Sequence, residues 1–164
     1  EIKKCSDFYC SVESHMSVRL VRLQVSLKYQ SEPSNCCHGT NSSIKLMQSC
    51  VKLYKDVLLL EDFAMVNYLA VSKVLKKHDK ISGYSTRGKF MENVMSKQPF
   101  SLCSNIHSLL KKIEDIFERA EKIEANKNKG NGNDQPTKGA LVDSEMYNCI
   151  KAILDLKKQS KSLH

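Results

Sequence analysis

The chain has 164 residues, enough for one compact domain with an appendage and too few for a second full core. Six Gly and three Pro supply too little turn chemistry for an all-β fold, whereas 41% hydrophobic and 27% charged residues suit a helical protein. A net charge of +8 favours an anionic partner, but with 7% aromatics, no Trp and no nucleic-acid-binding motif, nucleic acid is not expected.

In chain order, Ile2, Cys5, Tyr9, Val12, Met16, Leu20, Leu23 and Leu27 recur at threes and fours, which predicts a long amphipathic helix from Glu1 to about Tyr29. The pattern starts at the first residue, without a methionine, which suggests a fragment. Residues 31–43, with Pro33, Gly39 and many Ser, Asn and Thr, read as a loop. Cys36, Cys37 and His38 within it resemble half a zinc site, but no second ligand pair stands at a compatible spacing, so no metal is expected. Seven cysteines in no regular framework read as reduced thiols.

From Ile44 to Lys80 no Gly or Pro interrupts an apolar pattern of Met47, Val51, Tyr54, Leu58, Phe63, Val66, Ala70, Val71 and Val74. This predicts a helix of roughly 50 Å. Two such helices around one loop pair as an antiparallel hairpin, because each carries an apolar stripe that it cannot bury alone. Gly83 sits where a helix C-terminus needs a left-handed residue. A short helix is expected over 85–96 with Phe90, Val94 and Met91 inward, then a stop at Pro99. Leu102, Ile106, Leu109, Ile113, Phe117, Ala120 and Ile123 mark a further helix to about Ala125. The fold class is therefore all-α: two long antiparallel helices braced by shorter C-terminal ones. Residues 126–139 read as a flexible polar linker and 140–164 as a weakly amphipathic helix, with Met146, Ile150, Ile153 and Leu154 on one side and a basic tail.

Lys73, Lys76, Lys77 and Lys80 fall within an arc of about 100° over about 10 Å of the second helix. Read from periodicity alone, this is either a solvated face opposite Val71, Val74 and Leu75 or a polyanion site. Around them, Leu59-Leu60, Phe63, Asn67, Ala70 and Lys73-Val-Leu-Lys76-Lys77-His-Asp-Lys80 resemble the signature helix of SPX domains, with Val71 in place of the usual Phe and His78 where an aromatic is common. Glu1-Ile2, Lys4, Asp7-Phe8-Tyr9, Glu13, Arg19 and Leu23 resemble the helix that precedes it in the family, and Ser96 to Phe100 fit the domain's end. The resemblance covers residues 1–125.

The resemblance implies a sensor of inositol polyphosphates or pyrophosphates, such as inositol hexakisphosphate, that regulates phosphate homeostasis or transport. It gives Lys77 a place in a phosphate-binding cluster and Lys73, Lys76 and Lys80 the adjoining basic surface. The family's cluster also uses a Tyr and a Lys from an N-terminal helical hairpin, for which no residue here corresponds, so 1–125 reads as an N-terminally incomplete domain. It further implies a fused or separate effector: a transporter, polymerase, phosphodiesterase, ubiquitin ligase or transcription factor. The alternative is a helical protein-interaction module whose basic face binds no small ligand. Asp7, Glu13, Asp56, Glu61 and Asp62 lack paired catalytic geometry, and His78 and His107 lack a nucleophile, so no enzyme and no cofactor are expected. No apolar run nears the roughly 20 residues of a membrane span. A cytoplasmic location is expected, at the cytosolic face of a membrane if a transporter is attached.

Overall fold

A computed structural model describes residues 1–32, 42–130, 148 and 150–152. They form α1 (Ile2–Ser31), α2 (Ser42–Ser82), α3 (Arg87–Asn93), α4 (Pro99–Leu102) and α5 (Ile106–Gly130), with a 3-10 turn at Met95–Lys97. No strand occurs among the described residues. The chain divides into two compact units that both long helices traverse: Glu1–Ser17 with Asp56–Leu109, and Val18–Lys55 with the described residues from Leu110 onward.

In the first unit, Cys5 Sγ donates to Asn67 Oδ1 at 3.4 Å, and Phe8 packs on Phe63 with ring centroids 4.8 Å apart. A pairing in which one residue number rises as the other falls is antiparallel, as the hairpin argument requires. Ser6 Oγ donates to Gln98 Oε1 at 2.8 Å, tying α1 to the turn before α4. Tyr9, Met95, Phe100 and Ile106 are buried around these contacts. In the second unit, Gln30 Nε2 donates to the Ser42 carbonyl at 3.4 Å, the same antiparallel relation between α1 and α2. Tyr54 donates its hydroxyl to the buried Glu114 at 3.3 Å, binding α2 to α5. Ile113, Ile116, Phe117 and Ala120 fill the inner face of α5 at helical spacing. Cys50 is fully buried here, and desolvation pushes its thiol up to about 12, which leaves it a packing group rather than a nucleophile.

The α1 stripe is as the sequence reads: Tyr9, Met16, Leu20 and Leu27 are buried and Ile2, Cys5, Val12 and Leu23 half-buried. The α2 stripe requires a correction. Met47, Val51 and Tyr54 are buried as expected, but Val66, Ala70 and Val74 are exposed, and past Tyr54 burial follows Val57, Leu60 and Ala64, which continue the seven-residue repeats Leu46-Leu53-Leu60 and Cys50-Val57-Ala64. The expected stripe jumps five residues from Leu58 to Phe63 and so crosses to a neighbouring face. Val74 is therefore not the buried side opposite the lysines.

The short segment is also corrected. No residue of α3 is buried, Phe90 and Met91 are half-buried and Val94 is exposed, because the helix tightens into the 3-10 turn and delivers Met95 to the core instead. Pro99 then starts α4 from its first turn, where its missing N–H costs nothing. Helix α5 continues through Gly130, past the expected end at Ala125 and into the start of the expected linker. The loop over 33–41 and the linker beyond Gly130 lie outside the described residues, as do Met146, Ile153 and Leu154. Ile150 is fully buried and Lys151 pairs with Glu121 at 3.1 Å, so this part of the C-terminal segment docks in the second unit. Among the described residues no helix is long and apolar enough to cross a membrane.

Candidate functional site

Lys73, Lys76, Lys77 and Lys80 occupy the last turns of α2, in the first unit, and all four are exposed. No residue in this stretch breaks the helix, so the fixed rotation of 100° per residue sets their azimuths. None makes an ion pair with a carboxylate among the described residues. Their place at the C-terminal end of the helix is favourable, since the backbone dipole there is negative and offsets part of their mutual repulsion. The arrangement can present several ammonium donors to one multiply charged anion.

The carboxylate inside the row is Asp79, and it is otherwise engaged. It accepts the Thr86 N–H at 3.0 Å, the Thr86 hydroxyl at 2.5 Å and the Arg87 N–H at 2.9 Å. His78 Nδ1 lies 3.4 Å away. The first amides of α3 are thus capped by a side chain from α2, because the Thr86 side chain makes no cap of its own. Gly83, at φ 73°, turns the chain back, and its N–H donates to the Asp79 carbonyl at 2.9 Å. A side chain at Gly83 would meet open space but would strain the backbone.

The hydrogen bonds from Thr86 and then Arg87 hold the Asp79 carboxyl well below the usual carboxylate range. A group whose folded pKa is depressed contributes stability above its unfolded value, about 3.9, and loses it as pH falls through the folded value. Asp79→Asn should therefore melt at a lower temperature than the wild type throughout pH 5–8. The gap should narrow as pH falls below about 4, where the unfolded carboxyl takes up a proton that the folded one does not. Thermal melts across that range check this, and a gap independent of pH would contradict it.

Arg87, which follows this turn, was not singled out by the sequence. Its Nε and Nη2 donate to Ser72 Oγ at 3.1 and 2.8 Å, and Ser72 is buried. The guanidinium is thereby held against α2, beside the lysine row. Nothing in the local spacing identifies it, because Ser72 and Arg87 meet only through the turn that Gly83 and Asp79 make. Among the described residues no group of three His, Cys, Asp or Glu could hold a metal; Cys36, Cys37 and His38 lie outside them.

Comparison with known proteins bears out the resemblance. The SPX domain family model matches residues 38–94, a span that contains the whole lysine row. The chain is 22% identical to SPX domain-containing protein 2 of Arabidopsis thaliana over 160 residues, 95% of this chain and 53% of that protein. It is 25% identical to SPX domain-containing protein 1 of the same plant over 119 residues, 73% of this chain and 44% of that one. With SPX domain-containing protein 2 of Oryza sativa subsp. japonica the identity is 30% over 76 residues, 46% of this chain and 27% of that protein. The chain thus spans about half the length, or less, of these curated relatives. No solved structure matches.

Proposed function

We propose, on the premise that residues 38–94 match the SPX domain family, that this chain is a regulatory module of phosphate homeostasis that binds inositol polyphosphates or pyrophosphates through Lys73, Lys76, Lys77 and Lys80. The observation that carries the proposal is the exposure of all four ammonium groups at the end of one helix, without a paired carboxylate among the described residues. Single exposed ion pairs contribute little, but several converging on one polyanion add, and the sum falls as salt rises. Binding would pass to an effector, fused or separate, and the module itself performs no catalysis.

Inositol hexakisphosphate should raise the melting temperature of the chain more than equimolar inorganic phosphate or sulfate does, because a bound ligand stabilises the folded state by mass action. Equal shifts for all three anions would reduce the row to a non-specific basic surface. A second reading, a helical interaction module, draws support from Leu59, Val66, Leu69 and Val74, which are exposed on α2, the last two beside the lysines. It requires that the lysines contribute nothing to small-ligand binding, and the same melts separate the two.

A further inference from the structure

Besides the lysine row, the first unit has an open groove of about 610 Å³ between α2 and α3, a size common for ligand sites. Lys76 and Arg87 both line it, with Ser72, Asp79 and Gly88 between them. At 100° per residue Lys76 and Lys77 diverge by that angle, so Lys76 lies on the groove edge of the row and Lys77 on the far edge. The row therefore has a second side that its own spacing does not reveal.

We propose that Arg87, anchored on Ser72, and Lys76 form a phosphate subsite in this groove, so that one polyphosphate spans the row from Lys77 to Arg87. The inference rests on the polyphosphate reading above and adds Arg87 to it. Four features support it. The guanidinium is positioned in advance by two hydrogen bonds to a buried hydroxyl, so little side-chain freedom is lost on binding. Ser72 occupies the Nε–Nη2 edge, and the remaining Nη1–Nη2 edge matches two oxygens of one phosphate, which the lysines, as point donors, do not. The one groove carboxylate, Asp79, is turned to the amides of Thr86 and Arg87 and the Thr86 hydroxyl, which leaves the five cations Lys73, Lys76, Lys77, Lys80 and Arg87 in excess over it. Gly88 leaves the groove open, since a Cβ there would meet nothing within 4 Å.

The test is calorimetric titration of the 164-residue chain with inositol hexakisphosphate, as wild type, Arg87→Gln, Ser72→Ala and Lys77→Ala, each checked for its helical spectrum and melting temperature without ligand. Arg87→Gln should weaken binding about three- to tenfold, the range for a partly exposed charge-assisted contact. Ser72→Ala should weaken it less, because the charge remains but its position is lost. An Arg87→Gln isotherm that superimposes on the wild type, while Lys77→Ala weakens, overturns the groove subsite and leaves the row intact. Absence of saturable binding by the wild type overturns both. If Arg87→Gln loses its helical spectrum, Ser72→Ala decides, and an unchanged isotherm for it overturns the subsite.

Discussion

Phe117→Ala should lower the unfolding free energy by about 3–5 kcal/mol, the usual cost of emptying an aromatic site in a packed core. Phe117 is fully buried in the second unit, as are Ile113 and Ala120, one helical turn to either side. Helix α5 reaches its core through this one face, and close-packed neighbours collapse only partly into the space left. Phe8→Ala is the contrasting case. Its ring packs tilted against Phe63 but is 52% exposed, so truncation forfeits mainly the aromatic contact, about 0.5–1.5 kcal/mol. Urea unfolding of both variants gives the comparison, and a Phe117→Ala midpoint no lower than that of Phe8→Ala would contradict the packing described.

The same face shows why α5 and α1 were legible in the sequence. In α5 apolar residues stand on one side and polar residues on the others; in α1, although Phe8, Val18, Val21 and Val25 are exposed, the period still selects the buried Tyr9, Met16, Leu20 and Leu27. Helix α2 is different. From Ala64 to Val71 the sequence is Ala-Met-Val-Asn-Tyr-Leu-Ala-Val, apolar on several sides at once. Periodicity establishes a helix there but does not say which side is covered, and the reading followed Val66, Ala70 and Val74 where burial follows Ala64 and Ser72. Gly83 as the end of α2 was legible because a positive φ demands it.

The candidate site was legible for the same reason as α1: Lys73, Lys76, Lys77 and Lys80 are local in sequence, and one helix carries them all. The cap from Asp79 to Thr86 and the tether from Arg87 to Ser72 were not. They join residues 7 and 15 positions apart across a turn, and no helical or strand period predicts such contacts.

Replacing all four lysines with alanine has the second large expected effect. Each exposed pair contributes roughly 0.2–1 kcal/mol, so losing four weakens polyphosphate binding about fourfold to nearly a thousandfold. Folding should be little affected, because the four side chains are exposed and alanine is the best helix former. Their mutual repulsion also disappears, which offsets any lost packing of their stems. The variant thus separates charge from structure. Its residual affinity should also depend less on salt, since fewer screened contacts remain.

Calorimetric titration of inositol hexakisphosphate into the wild-type chain and this fourfold variant, side by side at one ionic strength, measures the row's contribution directly. Saturable heat for the wild type and a large loss of affinity for the variant is the predicted outcome. Superimposable isotherms, from two proteins with matching helical spectra, would contradict it.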